Sequence, residues 1–111
     1  MSVEVVRTWS GVTLNGHAEA YLRHLREDTL PKLRALPGFL GWQVMRRPLG
    51  AAEVAFVVQT RWASMEAVLG FAGDAPSVAV VPAAARACLE RFDEHVEHYT
   101  VAMSEGAAGA R

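Results

Sequence analysis

The sequence predicts an α+β fold, a four-stranded antiparallel sheet with its helices on one face. Three observations predict it. Runs with the period-two alternation of half-buried strands, rich in β-branched and aromatic residues, occupy residues 3–12, 39–47, 53–62 and 95–102. The segments after the first and third runs switch to apolar spacing of three and four, the helical period. The second and third runs are joined by the short loop Pro48-Leu49-Gly50-Ala51-Ala52, whose length suits a hairpin.

The opening stretch VEVVRTWSGVT sends Val5, Arg7 and Trp9 to one face and Val6, Thr8 and Ser10 to the other. Asn15-Gly16 marks a turn and the start of a helix. On that helix Ala18, Tyr21, Leu22 and Leu25 share one face, with Arg23, His24, Arg26 and Glu27 opposite. Asp28-Thr29-Leu30-Pro31 interrupts it, because an interior proline removes a hydrogen bond and crowds the preceding turn; a kink or a fresh start is expected. Leu33 and Leu36 continue the apolar face until Pro37-Gly38 ends it.

After the hairpin FLGWQVMRR and EVAFVVQTRW, Ser64 is placed to cap a short helix, SMEAVLGFAG, that buries Val68, Leu69 and Phe71. Beyond Asp74-Ala75-Pro76 and a brief extended piece, Pro82 opens a second helix running to about Arg91, with Ala85, Cys88, Leu89 and Phe92 on one face. HVEHYTVA, residues 95–102, is the last strand. A single domain is expected over 1–103, with 104–111, small and polar, a flexible C-terminal tail.

The order β-α-β-β-α-β is the split βαβ pattern of ferredoxin-like folds, which leaves one face of the sheet uncovered. In the third strand Val54, Phe56 and Val58 face one side while Ala55 and Val57 face the other, so both faces are apolar in its first half. A sheet with one wet face alternates cleanly instead. A homodimer through the open sheet face is the simplest cover.

Composition narrows the function classes. The chain has 111 residues, 51% hydrophobic and 21% charged, with a net charge of −1, an ordinary globular composition. A nucleic-acid partner is not expected, since phosphate binding needs clustered, uncompensated cations. The one cysteine, Cys88, rules out an intrachain disulfide and suits a reducing compartment. The opening MSVEVVRTW alternates rather than forming a cationic and then apolar leader, and Pro82 breaks the longest small-apolar stretch, VAVVPAAARA. A cytoplasmic protein without a membrane partner is expected.

No CxxC, GxGxxG, phosphate-loop, HExxH or GxSxG motif occurs. His95 and His98 are three apart on a strand and so point to opposite faces, while His17 and His24 share a helical face without an evident carboxylate. No metal site is expected, because zinc wants three or four converging ligands. Trp9, Trp42 and Trp62 sit on three different strands. Each is a core residue by ordinary habit, but together, and with Phe71, they are candidates to line an apolar substrate pocket for a small aromatic or hydrophobic molecule. His98 and Tyr99 are the candidates for a catalytic base, against the ordinary reading of a surface strand residue. Arg46, Arg47 and Arg61 lie at strand ends, where such residues usually solvate the rim.

Three stretches, LPGFLGWQVMRR, RWASMEAVLGFAG and EHVEHYTV, resemble the antibiotic biosynthesis monooxygenase family of dimeric α/β barrels, with the likeness running over about residues 3–102. The resemblance implies a homodimer whose two sheets pack face to face, each subunit keeping a cavity between its sheet and its helices. It implies oxygenation of phenol, quinol or polyketide-like aromatics without flavin, metal or haem, and it places Trp62 at the family's cavity tryptophan. Trp9 stands where haem-degrading members carry an asparagine, and no histidine follows between Phe71 and Phe92, which speaks against haem degradation. The expected function is a cofactor-independent monooxygenase. The alternatives are a non-enzymatic dimeric binding protein for a hydrophobic ligand, and an isomerase or lyase on an unsaturated ring acid, which would want an arginine in the cavity.

Overall fold

In the computed structural model, which describes residues 3–106, the sheet is built around β1 (Val5–Leu14). Val5, Arg7, Gly11 and Thr13 alternate as its buried positions, the period expected of a strand with one face on a core. Along one edge β1 pairs antiparallel with β3 (Glu53–Trp62) over its whole length, from Val5 opposite Trp62 to Leu14 opposite Glu53. β3 pairs in turn with β2 (Phe39–Leu49), closing the expected hairpin. On the other edge β1 meets two short strands, β4 (Leu89–Phe92) opposite Gly11–Thr13 and β5 (Glu97–Thr100) opposite Val5–Thr8. The order β2-β3-β1-β4, with β5 also on β1, is the ferredoxin-like arrangement with its last strand in two pieces.

The final third of the chain corrects the sequence reading. The helix α4 covers only Ala83–Arg86, not 82–91, and Leu89 begins a strand. Leu89 and Phe92 are three apart, which mimics a helical face. A register shift between Val12 and Thr13 lets Leu89 and Phe92 both pack toward Trp9 from an extended backbone. The second half of β1 would otherwise leave an edge unpaired, and pairing outweighs the weak helical signal of LERF. Residues 93–96 interrupt the strand: the Asp93 N–H donates to Ser10 O, the Val96 N–H to Ser77 O, and His95 bridges Val78. The expected tail lies largely outside the described residues, and Ser104–Gly106 form no element.

The first helical segment is interrupted where expected, in an unexpected way. α1 (Ala18–His24) passes into a π-helical turn, Leu25–Thr29, and then into α2 (Leu30–Arg34) without breaking. Pro31 cannot donate to the preceding turn and crowds it, and a widened turn relieves both problems. α3 (Met65–Ala72) starts as expected: the Ser64 hydroxyl accepts from the Ala67 N–H at 3.1 Å. Ser64→Ala is therefore expected to lower stability by about 1 kcal/mol, read as a lower urea midpoint at an unchanged slope.

The four α-helices among the described residues lie on one face. Between them and the sheet are two clusters, one around Tyr21, Leu25, Phe56 and Ala85, the other around Val5, Leu33, Trp62 and Val68. Trp42 packs against both. The other face stays open. Val6, Ser10 and Val12 of β1 and Ala55 and Val57 of β3 are only partly covered there, and Tyr99 is 59% exposed. Both faces of β3 are apolar in its first half, as the sequence requires.

Candidate functional site

A cavity of about 280 Å³ separates the two core clusters, near the lower end of ordinary small-molecule sites. Its walls are chiefly apolar: Trp9, Trp42 and Val58 from the sheet, Leu25 and Leu33 from the first helical segment, Phe71 from α3, and Val80 to Pro82 from the loop before α4. The polar groups are few and fall into two sets, one on the helices and one on the sheet.

The helical set comes from the π-turn. His24 lines the cavity with its side chain only 9% exposed. Its Nε2 lies 3.3 Å from Thr29 Oγ1, five residues on, the spacing a π-turn brings onto one face. Its Nδ1 lies 3.9 Å from Asp28 Oδ2, and Lys32 Nζ holds the same carboxylate oxygen at 3.3 Å. With the ring proton on Nδ1, facing Asp28, Nε2 is the acceptor nitrogen and takes the Thr29 hydroxyl hydrogen bond. Tyr21 also lines the cavity, its ring edge-on to Phe56 at 5.0 Å. Burial pushes its phenol well above the ordinary tyrosine range, so it stays protonated and serves as a donor rather than a base.

The sheet set is Thr60 of β3 and Arg7 of β1, the arginine 5% exposed. Its Nη1 donates to Pro76 O and meets His98 Nε2 at 2.9 Å, its Nη2 donates to Val78 O at 3.2 Å, and the guanidinium stacks over Phe71 at 5.4 Å. Burial lowers its pKa to about 10, which still leaves it charged at neutral pH. No carboxylate lies within ion-pair distance of it among the described residues.

The structure distributes the sequence candidates unevenly. Trp9, Trp42 and Phe71 line the cavity; Trp62 does not. It is 0% exposed, stacked on Phe71 at 5.5 Å, edge-on to Phe39, with its Nε1–H donating to Thr60 Oγ1 at 2.8 Å. It backs two cavity walls, Phe71 and Thr60, rather than forming one. Tyr99 lies on the open face, away from the cavity. His98 lies behind Arg7, whose N–H it accepts. The rim arginines stay outside: Arg46 pairs with Glu19 and Arg61 with Glu4. Among the described residues no three acidic, histidine or cysteine side chains converge as a metal site, and no helix is long and apolar enough to cross a membrane.

His24, expected to lack a carboxylate, has Asp28 beside it, and Arg7, placed inward on β1 without a role, lines the cavity. Asp28 stands four residues after His24, but the expected break at Asp28–Pro31 hid the pairing that the π-turn preserves. Arg7 carried a usable signal, a charged residue at an inward strand position between Val5 and Trp9.

His98 makes acid stability testable. Desolvation first, then the Arg7 charge, lower its pKa from the ordinary 6.5, with Glu97 opposing. The unfolded chain therefore binds this proton more readily than the folded one, and stability falls as pH drops through and below about 6.5. Above that range the contribution is flat. His98→Gln is expected to lose less of its melting temperature than the native chain does between neutral and mildly acidic buffer.

The sheet order and the one-sided helix layer, with a cavity between them, define a ferredoxin-like α+β domain. The chain belongs to the antibiotic biosynthesis monooxygenase family, whose model matches residues 5–81. Among solved structures it is similar to a Bacillus cereus protein assigned to the antibiotic biosynthesis monooxygenases, at 17% identity and a TM-score of 0.67, covering 96% of this chain and 100% of that one. It is also similar to SnoaB, a cofactor-independent oxygenase from Streptomyces nogalater, in its N63A form, at 16% identity and a TM-score of 0.60, covering 95% and 97%. The haem-degrading protein of Mycobacterium tuberculosis follows at 20% identity and 0.59, covering 96% and 100%. At these identities the structural likeness speaks for the fold alone. A comparison with curated proteins returned no match.

Proposed function

We propose that the chain is a cofactor-independent monooxygenase that oxidises a phenolic, quinolic or polyketide-like aromatic with dioxygen. The observation that carries this reading is a chiefly apolar cavity with a histidine in its wall, set beside a carboxylate and able to take a proton. The resting Nδ1–Asp28 separation is longer than a hydrogen bond, as catalytic contacts often are before substrate binds. In the proposed reaction His24 removes the phenolic proton and the electron-rich anion gives one electron to dioxygen. Recombination of the radical with superoxide forms a carbon–oxygen bond, and the resulting hydroperoxide loses water. For an anthrone-type methylene the balance is CH₂ plus O₂ giving C=O plus H₂O, one oxygen atom going to each product. The substrate is itself the reductant. The protein supplies orientation, a dry site and the proton acceptor.

The working unit is proposed to be a homodimer joined through the open sheet faces, supported by the partly covered Val6, Val12, Ala55 and Val57. The test is oxygen-electrode uptake over a panel of anthrones, naphthols and quinols. Uptake above the spontaneous rate and unaffected by chelator is expected. Tight binding of these aromatics without uptake would replace the proposal with a non-enzymatic binding protein.

The isomerase or lyase reading gains one observation, since the arginine it wants in the cavity is present as Arg7. That arginine bears on substrate class whichever chemistry follows.

A further inference from the structure

We infer that Arg7 is an anion anchor, and that the substrate of this cavity is an aromatic acid whose ring carboxylate pairs with the guanidinium. The inference rests on the reading above that the cavity is the substrate site. Arg7 is a cation taken out of water, and what it touches is neutral: the carbonyls of Pro76 and Val78, the His98 ring and the face of Phe71. Removing a charge from water is costly unless a counter-charge compensates, and among the described residues no carboxylate does so.

The same contacts leave capacity for a ligand. A guanidinium has five N–H donors, and three contacts use Nη1 and one hydrogen of Nη2. Nε–H and the remaining Nη2–H have no protein acceptor among the described residues, and Nε and Nη2 lie along one edge of the planar fork, the edge that can take a carboxylate in two parallel bonds. The Pro76 and Val78 carbonyls and His98 fix the group before a ligand arrives, so little ordering is required on binding. His98 accepts from Arg7 as a neutral ring and so adds no charge of its own.

The chemistry selects a carboxylate over a phenol at this position. A phenol is protonated at neutral pH and supplies a counter-charge only after His24 has acted. A cation left unpaired in the resting enzyme calls for a group already ionised on entry. The substrate then has two ends, a carboxylate on the sheet at Arg7 and a phenolic hydroxyl at the helix layer at His24, with the ring between Trp9, Trp42 and Phe71.

Isothermal titration calorimetry of the native protein with a hydroxynaphthoate and the matching hydroxynaphthamide tests this without a variant. The two differ in charge and hardly in shape. The carboxylate is expected to bind about 10- to 100-fold more tightly, as for a hydrogen bond to a charged group in a buried site. Arg7→Gln is expected to abolish that preference and Arg7→Lys to keep part of it. Equal affinities in the native protein, tighter binding of the amide, or binding of neither would overturn the inference. The outcome is separable from the activity. Oxygen uptake with neutral naphthols and no carboxylate preference would leave the oxygenase standing and remove the anchor; a carboxylate preference without uptake would do the reverse.

Discussion

Replacing His24 by glutamine is expected to lower the oxygen-uptake rate by about 10²- to 10⁴-fold, the range that a positioned general base ordinarily supplies. His24 is the cavity-lining ring with a carboxylate beside one nitrogen and a hydroxyl at the other. Glutamine keeps a polar side chain of similar length but cannot accept a proton at neutral pH. The cost in stability is expected to be about 1 kcal/mol, since one side-chain hydrogen bond to Thr29 is at stake. A loss of turnover far beyond the loss of stability separates a base from a packing residue. Asp28→Asn preserves shape and removes only the charge. It is expected to lower kcat by about tenfold with little change in KM, because the carboxylate acts in the transition state and not on substrate binding.

The second large effect falls on stability. Trp62→Ala is expected to cost about 3–5 kcal/mol, a large part of the roughly 5–15 kcal/mol that holds a domain of this kind folded. The side chain is fully buried between Phe39 and Phe71, and its removal strands the Thr60 hydroxyl in the core. Urea unfolding reads this directly as a lower midpoint. Trp62→Phe keeps the apolar bulk and loses the hydrogen bond, so it is expected to cost less than the alanine variant. Because Trp62 stands behind the cavity wall, Trp62→Phe is also expected to slow oxygen uptake far less than His24→Gln does. A Trp62→Phe variant as inactive as His24→Gln but fully stable would place this tryptophan in the reaction and not in its scaffold.

The strands and turns that positioned the site were legible in the residues. The hairpin Phe39–Trp62, the serine cap at Ser64 and the inward set Val5, Arg7 and Trp9 are local signals, carried by period, turn chemistry and capping. The last strand was less legible because its inward residues, Leu89 and Phe92, keep helical spacing, and only the register shift on β1 turns that spacing into a strand. The site itself was half legible. Of the three tryptophans on separate strands, Trp9 and Trp42 line the cavity with Phe71 of α3, while Trp62 stands behind it. The polar groups escaped because their meaning depends on long-range placement. His98 and Tyr99 are neighbours in sequence, yet one backs Arg7 and the other faces out from the sheet. His24 becomes interesting only once the chain around Pro31 is seen to stay helical as a π-turn, with Asp28 and Thr29 kept beside it.

The proposed reaction places one atom of dioxygen in an aromatic substrate without a bound cofactor. Single-turnover reaction of metal-free protein with an anthrone under heavy-oxygen-labelled dioxygen tests it most directly. One labelled atom is expected in the quinone product and the other in water, at equal yield. Product oxygen drawn from solvent, or no turnover of a bound aromatic, would contradict it.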